Sequence, residues 1–415
     1  MTLSEELTWR GFVNQTTFKD ITDIDKQPIT FYWGVDPSAD SMHIGQLAMS
    51  MMIRHFIKHG HKPILLVGGA TGLIGDPDGK DKERDLKSEE EVAANKAGIA
   101  AQYKQLFDGY EVTLVDNYDW FKDIGYLQFL RDVGKHVPMR QMLGREFVQT
   151  RLSEEGAGIS YAEFSYALIQ GYDFLHLYRE FGATMQVCGS DQWGNSIAGV
   201  ELIRRIEGAE AHIWSAPLII NKSTGKKFGK SEDGAVWLDP AKTSPFKFYQ
   251  FWINADDLGV RDYLKVFTEL DKDSIADIMD AHKEAPSNRL AQKRLAYEVT
   301  QLVHGTETAD SVQKVSEVLF GGADYATLSA HDFVQLSSEL KTVQVSPDTP
   351  LVDILTDGGL ASSKGEARRF LQDSAVYING SQFSIEKHTL ESADAMHGYV
   401  VLRRGKNSTI LVKIN

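Results

Sequence analysis

The stretch Tyr32-Trp33-Gly34-Val35-Asp36-Pro37-Ser38-Ala39-Asp40-Ser41-Met42-His43-Ile44-Gly45-Gln46-Leu47 decides the fold. It reads as an apolar strand, then a turn rich in Gly, Pro and Asp, then the start of a helix. Such a junction directs backbone N–H groups and a helix dipole at an anion above the sheet. His43 and Gln46 are three residues apart, so they share one face of the first helical turn and can both reach a phosphate. Gly45 has no side chain and would let an adenine or a ribose lie close to the backbone.

Strand-like and helix-like stretches alternate around this junction, which is typical of a mostly parallel α/β sheet. The predicted strands are 30–35, 63–67, 112–115, 184–188 and 217–220, and the predicted helices are 47–59, 162–181 and 192–206. The separation between the third and fourth strands is far longer than a usual crossover, so it predicts a helical insertion. The sequence therefore predicts a Rossmann-like parallel-sheet catalytic domain over 1–220, with the insertion at about 118–183.

The second half of the chain changes character. Residues 221–326 predict a polar loop followed by an α-helical domain. Residues 327–348 are rich in Ser, Asp and Pro and predict a linker. Residues 349–415 combine short helices with strand-like stretches and predict a small α+β domain.

The composition indicates in which cellular compartment the protein works. The 415 residues are 42% hydrophobic, enough for a large core. No apolar run approaches the roughly 20 residues that span a bilayer, and the polar N-terminus lacks a signal-peptide core. Cys188 is the only cysteine, which excludes an intrachain disulfide and a cysteine-based zinc site. We therefore expect a cytoplasmic enzyme with no membrane association.

The net charge of −14 is unfavourable for general nucleic-acid binding, which depends on clustered Lys and Arg. Residues 349–415 carry +1 and the remainder carries −15. Any RNA must therefore contact local basic patches. An acidic surface elsewhere would repel other polyanions.

A second motif is Lys226-Lys227-Phe228-Gly229-Lys230-Ser231, in a polar loop after the strand predicted at 217–220. Lysines on both sides of a flexible glycine can move close to a polyphosphate and stabilise the negative charge that develops as pyrophosphate leaves. Taken alone, the first motif could be an ordinary N-terminal helix cap with an incidental His, and the second a solvated loop. Together, in this order, they indicate a nucleotide site.

The two motifs resemble the HIGH region and the KMSKS loop of class I aminoacyl-tRNA synthetases, with Gln46 where the common form has a second His. Neither is a Walker P-loop nor a GxGxxG fingerprint. The resemblance implies that the catalytic residues are His43, Gln46, Lys227, Lys230 and Ser231. It implies that ATP is bound by Gly34, Asp36, Ser38, His43, Gly45, Gln46, Asp191, Gln192 and Lys230.

Three further stretches resemble bacterial tyrosyl-tRNA synthetases: Gly68 to Pro77, Phe164 to Asp173, and Gly189 to Asn195. The resemblance implies that tyrosine is bound by Tyr32, Asp76, Tyr166, Gln170, Asp173 and Gln186. Asp76, Tyr166 and Gln170 would surround the ammonium group, with Gln186 nearby, while Tyr32 and Asp173 would meet the phenolic hydroxyl. A buried Tyr and Asp lose a partner when phenylalanine enters, at roughly 1–3 kcal/mol for each orphaned group.

The C-terminal stretch Leu351 to Gly380 resembles the S4 RNA-binding module, which implies tRNA as a partner. The residues proposed to contact RNA are Arg145, Arg151, Arg204, Arg205, Lys364, Arg368 and Arg369. Lys80 and Arg84 align with family positions near the leaving phosphates. The resemblance also implies a homodimer formed through the insertion. It implies Mg²⁺ carried by ATP, with no protein-bound metal; His55 and His59 have a zinc-like spacing without an evident third ligand.

Three alternatives stay open. The sibling enzyme that activates tryptophan shares the class I core, although Tyr32 with Asp173 and the S4-like tail disfavour it. An RNA-binding or splicing factor could descend from a synthetase that lost catalysis, but His43, Lys227, Lys230 and Asp191 are all present. Another HIGH-type nucleotidyltransferase would have no use for the S4-like domain.

Overall fold

The computed structural model describes the chain except residues 78–85, 154–155, 232–233, 321–323, 383–387 and 406–407. The chain divides into two compact units. The first unit is Met1–Thr243 with Asn254–Leu295, and the second is Ser244–Ile253 with Ala296–Asn415. Within the described ranges, no helix is long and apolar enough to cross a membrane.

Nearly half of the described residues lie in α-helices. Their bounds are α1 Leu3–Arg10, α2 Ile44–Lys58, α3 Thr71–Ile74, α4 Glu89–Leu106, α5 Tyr118–Phe121, α6 Tyr126–Asp132, α7 Met139–Leu143, α8 Glu146–Leu152, α9 Tyr161–Phe181, α10 Trp193–Ile206, α11 Pro245–Ile253, α12 Val260–Phe267, α13 Lys272–Glu284, α14 Leu290–His304, α15 Thr306–Phe320, α16 Ala330–Glu339, α17 Leu351–Asp357 and α18 Lys364–Gln372.

The strands form two main sheets and a short hairpin. Their bounds are β1 Gln15–Thr16, β2 Thr30–Val35, β3 Lys62–Val67, β4 Thr113–Asp116, β5 Met185–Gly189, β6 His212–Ala216, β7 Lys230–Ser231, β8 Gly234–Ala235, β9 Thr342–Val345, β10 Val376–Ile378, β11 Ser381–Gln382, β12 Tyr399–Arg404 and β13 Ser408–Ile414.

The sheet of the first unit confirms the predicted parallel α/β fold. Its order is β1-β6-β5-β2-β3-β4, and every pair is parallel except the edge pair β1 with β6. The strand order reverses at β2, which lies between β3 and β5. Ligands of open α/β sheets bind beyond the carboxyl ends of the strands at such a switch point. Between β4 and β5 the described residues form α5 to α9, as the long separation of these strands predicts.

The junction between β2 and α2 follows from local chemistry. Phe31, Tyr32 and Trp33 are buried, as expected for a strand covered on both faces. His43 caps α2: its side chain accepts a hydrogen bond from the N–H of Gly45, and the side chain of Gln46 accepts one from the N–H of His43. This reciprocal capping satisfies N–H groups that the helix itself leaves unpaired. It also fixes both polar side chains beside the carboxyl end of β2.

One predicted strand is misplaced. The last strand of the first sheet is β6, His212–Ala216, rather than 217–220. Pro217 has no N–H to donate to a sheet, and Leu218 and Ile220 beyond it are exposed. The buried run Ile213 to Ala216 supplies the strand instead.

The stretch predicted as a linker, 327–348, contains regular structure. It includes α16, which begins after the capping residue Ser329, and β9. Phe333 and Leu336 are fully buried on one face of α16. Polar residues on the outer face of this helix account for the linker-like composition. The strand β9 pairs with the last strand of the chain, β13, a long-range contact that no local pattern indicates.

The second unit ends in a small α+β domain, as predicted. Its sheet has the order β11-β10-β12-β13-β9. The helices α17 and α18 contribute to one apolar core with the strands, including Leu351, Leu355, Val400 and Val412.

Candidate active site

A cavity of about 290 Å³ opens at the carboxyl ends of β2 and β5. It contains the predicted tyrosine-binding residues and most of the predicted ATP-binding residues. The predicted residues that line it are Tyr32, Gly34, Asp36, Ser38, His43, Gly45, Gln46, Asp76, Tyr166, Gln170, Asp173, Gln186, Asp191, Gln192 and Lys227. Segments from five separate stretches of the sequence therefore converge on one cavity.

Tyr32 and Asp173 line the cavity and are each 2% exposed, and we refer to the part that they line as its closed end. The carboxylate of Asp173 accepts hydrogen bonds from Nδ2 of Asn117 at 3.0 Å and from Nε1 of Trp120 at 2.9 Å. The Trp120 ring stacks on His176, with centroids 4.3 Å apart. Burial raises the pKa of Asp173 well above its usual value, and the two donors oppose that rise.

Three buried polar atoms that belong to cavity-lining residues lack a hydrogen-bond partner among the described residues. They are the hydroxyl of Tyr32 and the Oε1 atoms of Gln170 and Gln186. Leaving a buried polar group unpaired costs about 1–3 kcal/mol. Such atoms in a cavity indicate a ligand that brings its own donors and acceptors.

The proton of the Tyr166 hydroxyl is directed at Asp36. Tyr166 donates to Oδ2 of Asp36 at 2.6 Å, and Thr71 donates to Oδ1 of the same carboxylate at 2.6 Å. Because the Tyr166 proton is used there, the oxygen of this hydroxyl still has lone pairs that can accept from a cation. Burial, and then the negative charge of Asp36, raise the pKa of Tyr166, so it stays a neutral hydroxyl.

Asp76 lies in a second network. Nε2 of Gln192 donates to Oδ2 of Asp76 at 2.5 Å, and Nδ2 of Asn195 is 3.5 Å from Oδ1. Arg145 donates to Oδ1 of Asn195 at 2.8 Å. Arg145, predicted to contact RNA, therefore supports the residues that hold Asp76.

The HIGH-like residues His43, Gly45 and Gln46, at the start of α2, also line the cavity. Nδ1 of His43 accepts from the N–H of Gly45 at 2.9 Å, and Oε1 of Gln46 accepts from the N–H of His43 at 3.0 Å. A Cβ atom at Gly45 would lie 2.6 Å from the ring of His43. Only glycine permits this arrangement. Because Gln46 uses its oxygen for the cap, its amide NH₂ is the part that can donate to a phosphate or ribose.

The KMSKS-like loop is a short hairpin. Phe228 is buried and stacks on Tyr263 at 4.2 Å between centroids, and Lys227 is exposed at the cavity. Lys230 and Ser231 form β7, but their side chains lie outside the described part of the structure. Lys80 and Arg84 also lie outside the described residues. The stacked Phe228 fixes one point of the loop beside the cavity.

The structure changes the interpretation of one arginine. Arg151 is 4% exposed, and its guanidinium pairs with Glu163, also 4% exposed, at 2.9 Å. A buried and paired guanidinium cannot reach an RNA backbone, so the prediction that Arg151 contacts RNA is replaced by a structural role. Local sequence does not reveal this, because Glu163 belongs to another helix, α9.

The remaining predicted RNA contacts lie on the surface. Arg204 and Arg205 on α10 both pair with Glu201. On α18, Lys364 pairs with Asp353, and Arg368 and Arg369 are exposed. These side chains are available to solvent on their respective helices.

His55 and His59, the pair with a zinc-like spacing, both contact Glu6 of α1. Nδ1 of His55 is 3.1 Å and Nε2 of His59 is 2.9 Å from the Glu6 carboxylate. Arg10 donates to the same carboxylate at 2.9 Å. In the described residues, no group of three or more His, Cys, Asp or Glu side chains could hold a metal ion.

Sequence reasoning missed Asn117, Trp120 and Thr71. Asn117 directly follows β4, whose carboxyl end lies at the same sheet edge as the site. That position was the available signal, because polar residues after parallel strands converge at this edge. The pairing of Asn117 and Trp120 with Asp173 depends on how α9 packs, which the sequence pattern does not specify.

Residues 25–321 match the family model for class I tRNA synthetases (W and Y). Residues 332–412 match the Tyrosine--tRNA ligase SYY-like C-terminal domain. The chain therefore belongs to the class I tRNA synthetases of the tryptophan and tyrosine type.

The curated relatives narrow this assignment. A tyrosine--tRNA ligase from Geobacillus stearothermophilus is 46% identical over 100% of both chains. One from Staphylococcus haemolyticus (strain JCSC1435) is 45% identical over 99% of this chain and 98% of its own length. Within the class, the chain belongs to the tyrosine–tRNA ligases.

Solved structures agree in fold. A C-terminally truncated mitochondrial tyrosyl-tRNA synthetase from Aspergillus nidulans matches with a TM-score of 0.69 and 32% identity, covering 77% of this chain and 94% of that one. A tryptophanyl-tRNA synthetase from Encephalitozoon cuniculi, 12% identical with a TM-score of 0.55, covers 75% of this chain and 89% of its own. The second likeness concerns the fold alone.

Proposed function

We propose that this tyrosine–tRNA ligase activates L-tyrosine with ATP in the cavity described above and then transfers the tyrosyl group to the 3′ end of tRNA(Tyr). The tyrosine carboxylate attacks the α-phosphorus of ATP, the bond to pyrophosphate breaks, and tyrosyl adenylate forms. A terminal ribose hydroxyl of the tRNA then attacks the activated carbonyl, and AMP leaves. The carboxylate is already an ionised nucleophile, so the first step needs positioning and charge stabilisation rather than a general base.

The observation that carries the substrate assignment is the closed end of the cavity. The Tyr32 hydroxyl lacks a partner among the described residues, and Asp173 lines the same cavity close enough to add to the effect of burial in raising the pKa of Tyr32. A phenolic hydroxyl accepts one hydrogen bond and donates another, so it can satisfy both residues. The indole N–H of tryptophan only donates, and phenylalanine offers neither group. Tyrosine is the aromatic amino acid that suits this pair best.

The ammonium group of tyrosine would lie beside Asp76, Tyr166 and Gln170. The Tyr166 oxygen can accept because its proton is directed at Asp36, and Gln170 has a buried Oε1 without a partner in the described structure. Asp76 adds a negative charge, which strengthens hydrogen bonds from a cation. Gln186 offers another buried Oε1 nearby, also unpaired among the described residues.

ATP would occupy the end of the cavity beside the start of α2. His43 and the NH₂ of Gln46 would donate to phosphate or ribose oxygens, and Asp191 would accept from ribose hydroxyls. Lys227, Lys230 and Ser231 of the KMSKS-like loop would contact the departing pyrophosphate. By the family resemblance, Lys80 and Arg84 would act on the same phosphates. Mg²⁺ would come with the ATP phosphates, since Mg²⁺ sites of this kind rest on substrate phosphates rather than a protein cage.

The same proposal covers the partners. Exposed cations on α18 and α10 would contact tRNA through its backbone. The insertion exposes the large apolar side chains Tyr126, Leu127, Met139, Leu152 and Tyr161, at 52–80%. Apolar surface of this kind supports a homodimer interface there. A cytoplasmic location fits this set of partners.

The test is amino-acid-dependent exchange of pyrophosphate into ATP, without tRNA, run separately with tyrosine, tryptophan, phenylalanine and the other common amino acids. We expect exchange with tyrosine only, followed by charging of tRNA(Tyr) in a second assay. Exchange with tryptophan instead would refute the assignment of the Tyr32 and Asp173 end. No exchange with any amino acid, from a folded chain, would mean that the chain has lost catalysis.

A further inference from the structure

A continuous series of buried and partly buried hydrogen bonds connects Asp173 with Asp36 and Tyr166, three residues that line the cavity. It runs from Trp120 through Asp173, Asn117, Thr71 and Asp36. The successive distances are 2.9, 3.0, 3.1 and 2.6 Å. From Asp36 it continues 2.6 Å to the hydroxyl of Tyr166. Four separate parts of the sequence contribute to this series, and Thr71 and Asn117 are both at most 2% exposed.

The orientation of the Asn117 amide is fixed by its neighbours. Oδ1 of Asn117 lies 2.7 Å from the backbone N–H of Ala70, which can only donate. The atom facing it must therefore be the oxygen, and the NH₂ faces the other way. One of its hydrogens goes to Asp173 and the other to Thr71.

The direction of the Thr71 hydroxyl follows from this. Thr71 accepts from Asn117, so its own proton goes to Asp36, which in turn receives the proton of Tyr166. Asn117 and Thr71 cannot rotate without leaving a buried polar group unpaired. The carboxyl groups of Asp173 and Asp36 are therefore linked through the Asn117 amide and the Thr71 hydroxyl.

We propose that Thr71 and Asn117 are positioning residues that couple the phenol-binding end of the cavity to the ammonium and ATP end. They would fix the position of Asp173 relative to Tyr166. An amino acid without a phenolic hydroxyl would then be poorly aligned for adenylate formation. This inference rests on the proposed function and deepens it, because it assigns part of the selectivity for tyrosine to residues that need not touch the phenol.

The main variant is Thr71→Val, which removes the hydroxyl and keeps the shape. Thr71→Ser keeps the hydroxyl and serves as the conservative variant. Thr300→Val is the matched control, because Thr300 is also fully buried, lies in the second unit, and has a hydroxyl that lacks a partner among the described residues. Thr71→Ala replaces Thr71→Val if the latter does not fold.

The readout is kcat/KM in pyrophosphate exchange for tyrosine divided by that for phenylalanine, with KM for ATP measured in parallel. We expect T71V to lower the ratio by roughly 2- to 30-fold, the range of effects along coupled networks, and to raise KM for ATP. T71S and T300V should match the wild-type chain. A purely structural role would reduce the amount of active protein and leave the ratio unchanged, which would overturn the proposal.

A double-mutant cycle tests the coupling itself. Trp120→Phe removes the donor to Asp173 at one end of the series. Its effect on the tyrosine-to-phenylalanine ratio should not add to that of T71V, since both perturb one connected unit. Strict additivity would overturn the proposal.

The wild-type chain separates failure of this proposal from failure of the proposed function. Absence of tyrosine-dependent exchange in wild type would refute the function. Normal exchange in wild type, with a T71V ratio equal to that of T300V, would refute the coupling alone.

Discussion

Replacing Tyr32 by Phe should have opposite effects on stability and selectivity. In the chain without ligand, the Tyr32 hydroxyl is buried, 2% of the residue is exposed, and the hydroxyl lacks a partner among the described residues. Removing an unpaired buried polar group recovers its desolvation cost, about 1–3 kcal/mol. The ring remains, including its contact with Phe174 at 5.1 Å between centroids. We therefore expect Y32F to be more stable than the wild-type chain by up to that amount.

The same change removes one neutral hydrogen bond to bound tyrosine. Such a bond contributes about 0.5–1.5 kcal/mol net, which corresponds to roughly 2- to 13-fold in kcat/KM for tyrosine. The bond from the phenol to Asp173 stays. Phenylalanine makes no bond with Tyr32, so its kcat/KM should hold constant or rise.

Two assays check these expectations. Denaturant unfolding without ligands gives the stability difference, and pyrophosphate exchange with tyrosine and phenylalanine gives the selectivity. A less stable Y32F chain would show that the hydroxyl is satisfied in the unliganded protein, by water or by a rearranged neighbour. That result would refute the inference that the Tyr32 hydroxyl is unpaired until a phenol binds.

Nδ1 of His61 accepts from the backbone N–H of Ile29 at 3.2 Å, and burial lowers the pKa of His61 to about 4. The neutral His61 therefore stabilises the fold fully above pH ~6.5, and this contribution to the free energy of unfolding is lost as the pH falls toward 4, by up to about 2 kcal/mol after solvent screening. His61→Asn keeps a hydrogen-bond acceptor but does not titrate. Its free energy of unfolding, measured against pH, should therefore fall less steeply in acid than that of the wild-type chain. Arg151→Met should destabilise the chain by about 3–5 kcal/mol by leaving Glu163 buried and uncompensated; wild-type stability with weaker tRNA binding would restore Arg151 as an RNA contact. Leu127, in the insertion, is 80% exposed. If the proposed homodimer forms there, Leu127→Asp should place a charge in its interface and lower the sedimentation coefficient toward that of a monomer. A variant that sediments as a dimer would show that the interface lies elsewhere.

The amino-acid sequence determined the features that depend on neighbours along the chain. Continuous apolar runs predicted β2 and β3, because a strand that is buried on both faces is apolar along most of its length. The cap at His43 and Gln46 needs only residues within one helical turn. Many residues of the motif at Tyr32 to Leu47 line the cavity.

Only the tertiary structure decided which distant side chains meet. The order of strands around β2 brings Asn117, Thr71 and Asp36 together, and the packing of α9 brings Asp173 and Tyr166 to them. The pairing of Arg151 with Glu163 and of β9 with β13 has the same origin. The local sequence pattern indicates whether a residue is buried. It does not indicate which residue pairs with a buried polar group, because any donor or acceptor of suitable geometry can do so. The packing of the whole unit determines that partner.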